Sequence, residues 1–138
     1  MLCALARSPE TFRCGVDLFG DSEIADSYRH GDRVGRRDLH RQMGAPDAAE
    51  ELYKRGSPVY LAERIEAPLL ILHGRDDKRV VPLMSERMIE ALTIEGKYFE
   101  HAFYEGEAHG FRKPASKKDS LERTLRFLKR HLEGETES

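Results

Sequence analysis

"APLLILHG", residues 67 to 74, is the stretch on which the fold turns. Leucine and isoleucine fill 69 to 72 with no polar residue between them, so neither face of a strand there can meet water. Such a segment is the central strand of a parallel sheet, and parallel neighbours need crossover segments, most simply helices. Downstream, Pro82 opens a segment running to 95 with Met84, Met88, Ala91 and Leu92 at helical spacing and Gly96 at its stop. "KYFEHAFYEG" at 97 to 106 is the next strand, and Leu121, Leu125, Leu128 and Leu132 stripe a final helix from about 117 to 133. Upstream, "CGVDLFG" at 14 to 20 reads as a short buried strand, and helices are predicted near 37 to 43, 47 to 55 and 58 to 64. Residues 1 to 7 suit a helix end, stopped by Ser8-Pro9. Residues 21 to 37 are polar, glycine-punctuated and without a period, which predicts a surface loop with at most a helical turn. The tail at 134 to 138 should fray.

The order helix, strand, helices, strand, helix, strand, helix predicts an α/β fold, a mostly parallel sheet flanked by helices in three layers. Three strands make a thin sheet whose edges should be long and apolar. The expectation is therefore a piece of a larger sheet, incomplete at its N-terminal side. Residues 1 to 133 would form one partial domain, since 138 residues are too few for two ordinary ones.

With 23 basic against 25 acidic residues the net charge is −2, which gives nucleic acid or an anionic membrane no field to bind. The longest apolar runs, such as 68 to 72, fall far short of the roughly 20 residues of a membrane span. "MLCALARSPE" is apolar over only its first six positions, too few for a secretory leader, and resembles the tail of a helix whose front is missing. Cys3 and Cys14 cannot form a metal knuckle by spacing and sit in apolar surroundings, so a cytoplasmic protein with reduced thiols is expected.

In open parallel sheets functional groups collect at the carboxyl ends of the strands. "HGRDDKRVV" at 73 to 81 places Asp76 and Asp77 there, and "EGEAHGF" at 105 to 111 places His109 there. An acid on a neighbouring loop can hold a histidine in one tautomer and stabilise its charged form as it takes a proton from a nucleophile. Acid followed by histidine is the second half of the chain order nucleophile, acid, histidine of the α/β-hydrolases; the GxSxG that should come first is absent. A metal site from His73, Asp76 or Asp77 and His109 would need a further strong ligand, and neither HExxH nor a paired CxxC supports it. His73 reads as part of the strand-end turn, His101 as a half-exposed sheet residue, and His30, His40 and His131 as surface residues in charged contexts. From the residues alone, half of a hydrolase site and a plain α/β domain with polar loops both stay open.

Three ordered segments carry a resemblance that separates them. "ALARSPETFRCGVDLFG" at 4 to 20 is similar to the segment that follows the nucleophile elbow in the catalytic domain of the prolyl oligopeptidase family of serine peptidases, which includes dipeptidyl and acylaminoacyl peptidases. "GSPVYLAERIEAPLLILHGRDDKRVVPLMSERMIEAL" at 56 to 92 resembles its acid-bearing segment, and "YEGEAHGFRKP" at 104 to 114 its histidine loop; only 21 to 45 is loosely matched. The resemblance implies the C-terminal half of an α/β-hydrolase catalytic domain acting on peptides without a cofactor. It puts the triad acid on Asp77 rather than Asp76, the base on His109, and Val80 at a position lining the pocket for the side chain before the scissile bond. The nucleophile would fall just upstream of Met1, so the chain alone is expected to be inactive. An esterase of the same fold, or a non-catalytic half that docks on a partner carrying the serine, are the alternatives. An N-terminal half or a second copy would then cover the exposed sheet edge.

Overall fold

The computed structural model describes residues 1–134. Strands β1 (Gly15–Leu18), β2 (Leu69–Gly74) and β3 (Phe99–Tyr104) form a parallel sheet in the order β1-β2-β3. The helices are α1 (Leu2–Arg7), α2 (Ile24–His30), α3 (Arg33–Met43), α4 (Glu50–Gly56), α5 (Leu83–Ile94) and α6 (Pro114–Leu128), with 3-10 turns at Pro9–Thr11, Pro46–Ala48 and Pro58–Arg64.

Every residue of β2 is buried, as its apolar faces require. Alternation along the strand sends Leu69 and Ile71 to one side, where they pack with Leu5 of α1, Ile65, and Met88 and Leu92 of α5. Leu70 and Leu72 go to the other side, against Tyr104 and Phe127 of α6. Each of these leucines contributes about 1.5–3 kcal/mol by leaving water. The result is three layers, with the sheet between two helical faces.

The structure corrects the sequence reading in three places. Residues 21 to 37 hold α2 and the start of α3, not a loop. These helices carry few apolar residues, and polar bonds organise them. The Asp32 carboxylate caps α3 by accepting the Gly35 N–H at 2.6 Å, and Arg36 donates to the carbonyls of Tyr28 (2.9 Å) and Arg29 (3.1 Å) in the last turn of α2. Ser57 Oγ accepts the Ile24 N–H that opens α2. Secondly, the sheet edges are mixed rather than uniformly apolar: β1 is only four residues long and carries buried Asp17, and β3, as long as β2, carries Glu100 and exposed His101. Thirdly, α6 begins at Pro114 and runs into a π-helical segment, Lys129–Gly134, and three of the four leucines of its stripe turn away from the core, Leu128 being half-buried. Leu121 (60% exposed), Leu125 (49%) and Leu132 (46%) point outward, while Phe127 makes the core contact. The expected fraying at 134 to 138 lies, apart from Gly134, outside the described residues.

Candidate active site

β2 and β3 run parallel, so their carboxyl ends bring two loops side by side. After Gly74 the chain turns through Asp76 and Asp77; after Tyr104 it passes through His109 before α6. The main chain clamps the loops together. Arg75 N–H donates to Tyr104 O at 2.9 Å, and Asp76 N–H to Glu107 O at 2.8 Å. Only glycine fits at position 74, because a Cβ there would lie 2.3 Å from Glu107 O and 2.5 Å from Ala108 O.

Asp77 is buried and fully engaged. Its Oδ1 accepts the N–H groups of Arg79 and Val80, each at 2.9 Å, which fixes the carboxylate plane. Its Oδ2 lies 2.8 Å from His109 Nδ1 and 3.3 Å from His73 Nε2. Asp76 is exposed, and its carboxylate makes no bond or ion pair among the described residues. The structure thus joins Asp77, and not its neighbour, to His109.

The two histidines around Asp77 differ in kind. His73 is wholly buried, with Nε2–H donating to Val80 O at 2.8 Å and Nδ1 accepting from the Ser85 hydroxyl at 2.7 Å. Burial pushes its pKa down, and that bonding pattern suits the neutral ring. His109 is 41% exposed at its side chain; Nδ1 faces the carboxylate, and Nε2 has no partner among the described residues. A ring with one nitrogen anchored to a buried carboxylate and the other free can accept and return a proton.

Two neighbours escaped the sequence reading. Phe19, just past β1, has φ +57, and its ring centroid lies 5.2 Å from that of His109, 5.8 Å from His73 and 4.8 Å from Phe111. Nothing in the pattern around residue 19 marks that conformation. Glu107 is a buried carboxylate within the histidine loop, concealed among acidic and glycine residues that read as ordinary loop. Val80 lines a cavity of about 220 Å³ with Asp21, Ser27, Asp38, Leu39 and Arg79, between the acid loop and the α2–α3 hairpin. Burial raises the Asp21 carboxyl pKa, while the Ser27 hydroxyl, donating at 2.7 Å, lowers it. Among the described residues no group of three or more His, Cys, Asp or Glu is arranged to hold a metal ion.

Known proteins match nearly the whole length of this chain. A "Dipeptidyl peptidase family member 6" from Caenorhabditis elegans is 34% identical over 99% of the chain, which spans 19% of that relative. Among solved structures, a puromycin-hydrolysing peptidase from Mycobacterium tuberculosis superposes with a TM-score of 0.91 at 30% identity, over 99% of this chain and 21% of that one. The acylaminoacyl peptidase of Pyrococcus horikoshii does so with a TM-score of 0.88 at 27% identity, over 98% of this chain and 22% of that one. The chain therefore spans about a fifth of the length of the relatives it matches. The model of the prolyl oligopeptidase family matches residues 1–135, and with peptidase relatives in both sequence and structure, the chain belongs to that family of serine peptidases and carries part of its α/β-hydrolase fold.

Proposed function

We propose that Asp77 and His109 are the acid and the base of a Ser–Asp–His triad that hydrolyses peptide bonds, with the serine on polypeptide beyond these 138 residues, where no serine stands in a GxSxG frame. The observation that carries this reading is the 2.8 Å contact between His109 Nδ1 and the buried Asp77 Oδ2. With Nδ1–H donated to Asp77, the Nε2 lone pair takes the serine proton as the hydroxyl attacks the carbonyl, and Asp77 stabilises the imidazolium. His109 then returns the proton to the leaving amine. The N–H bonds from Arg79 and Val80 keep Asp77 from rotating out of line. Val80 and its cavity would receive the side chain before the scissile bond. The relatives' names support a peptide or peptide-like amide as substrate. The reaction needs no cofactor. A reducing, cytoplasmic setting is supported by Cys3 and Cys14, both free thiols.

A second reading, a half that docks on a partner chain, is favoured by one observation: the exposed leucines of α6 want cover. The two readings agree on the test. The 138-residue chain alone should neither turn over aminoacyl or peptidyl nitroanilides nor take a fluorophosphonate label. Joined to an elbow segment from a relative, it should do both, and His109→Ala or Asp77→Asn should lower kcat about 10⁴-fold. Turnover that survives His109→Ala would refute the triad. Ester and amide substrates compared side by side separate a peptidase from an esterase.

A further inference from the structure

We infer that Glu107 is a positioning residue: its carboxylate folds the histidine loop back on itself and so holds His109 within reach of Asp77. This rests on the pairing of Asp77 and His109 proposed above and adds to it the group that makes the pairing geometry persist.

Residues 105 to 113 connect β3 to α6, with His109 at the centre. His109 itself is anchored weakly, by one bond to Asp77 and ring contact with Phe19. Gly110 beside it has φ +121, so the local backbone needs support from elsewhere. Glu107 supplies it from both sides. Its Oε2 accepts the Arg112 N–H at 2.7 Å and its Oε1 the Lys113 N–H at 2.8 Å, which pinches the chain at 107 and 112–113 and closes 108 to 111 into a tight loop. Its carbonyl accepts the Asp76 N–H at 2.8 Å, which fixes the base of that loop to the acid loop. One residue thus ties the histidine loop to the start of α6 and to the residue preceding Asp77.

The chemistry of the side chain fits that role. The two N–H groups it accepts stand at the N-terminal approach to α6, where helix geometry gives them no partner of their own. Glu107 is 1% exposed, and no lysine or arginine side chain forms an ion pair with it among the described residues. The N–H of Arg112, first among several donors, holds its pKa below the ordinary glutamate value, so it is ionised at neutral pH. A buried carboxylate satisfied by backbone donors persists only while the loop keeps this shape.

The test reads the imidazole directly, on the nitrogen-labelled 138-residue chain. The wild type should show a far-downfield His109 Nδ1–H proton that Asp77→Asn removes. Glu107→Gln puts an NH₂ against an N–H; it should lose or broaden that proton and speed amide exchange at Arg112 or Lys113 about tenfold, with the β1–β3 amide spectrum unchanged. A Glu107→Gln protein that keeps the His109 proton at its wild-type position overturns the inference. A wild-type spectrum without the proton, but with Arg112 and Lys113 protected, overturns the Asp77–His109 pairing and the inference with it. A wild type with the proton but unprotected Arg112 and Lys113 overturns the clamp alone. Should Glu107→Gln not fold, Glu107→Asp keeps the charge but is one methylene too short to span both donors. Retention of the proton there is again the overturning result.

Discussion

Phe19 holds a backbone conformation that disfavours a side chain, and it does so beside the candidate base. At φ +57 an ordinary L-residue gives up about 1–2 kcal/mol, a cost met here by ring contacts to His109, His73 and Phe111. The two contributions can be separated. Phe19→Ala loses the ring and keeps the strain, whereas Phe19→Gly loses the ring and relieves it. Glycine should therefore be the more stable replacement by about 1 kcal/mol in urea unfolding, the reverse of the usual order; an alanine variant that matches or exceeds it would deny the strain. Asp17, inside β1, shows how a buried acid makes stability depend on pH. Burial raises its pKa from 3.8 to about 6, against the pull of the Met1 amino group and the Gly20 N–H. The native state thus binds a proton between about pH 4 and 6 that the unfolded chain has released, so stability falls as pH rises through that window and stays lower above it. Asp17→Asn should remove this slope, gaining up to about 3 kcal/mol on the wild type between pH 4 and pH 7. A wild-type-minus-variant difference that is flat in urea titrations across that range would contradict it.

At the scale of elements, what the sequence discloses depends on which force orders the segment. β2, α5 and β3 are ordered by burial, which leaves an apolar pattern, and their strand-end loops could be placed because a parallel sheet has one carboxyl end. Asp77 and His109 were accessible for the same reason. Residues 24 to 37 are ordered by a cap, by Arg36 bonding to helix-end carbonyls, and by Arg87 Nε meeting the Asp26 carboxylate at 2.6 Å. Those interactions have no period, and the segment reads as a loop until its partners are known. Glu107 is hidden in the same way, since two of its partners are main-chain N–H groups, which every sequence has. On α6 the period is plain but its direction is not. A stripe of leucines says that a helix has an apolar face, not which neighbour that face meets.

For the molecule as a whole, that stripe decides how the chain behaves alone. Leu121, Leu125 and Leu132 lie along one side of α6 and its π-helical continuation, each about half exposed or more, on the surface away from the Phe127 contact. Apolar area of this kind gains about 25 cal/mol per Å² when covered, and a contiguous patch marks a contact surface more often than chance exposure. The relatives, some five times as long, have polypeptide to spare for that purpose. The 138-residue chain in isolation should therefore bind an apolar dye and self-associate with concentration. A Leu121→Glu, Leu125→Glu double variant should lose most of the dye signal and sediment as a monomer. Its urea midpoint should barely move, because these side chains already face water and exposed substitutions shift stability by no more than about 0.5 kcal/mol each. A wild-type chain that sediments as a compact monomer without dye binding would remove the case for a docked partner. A double variant that unfolds would show that the stripe supports the core after all, against the burial seen at Phe127.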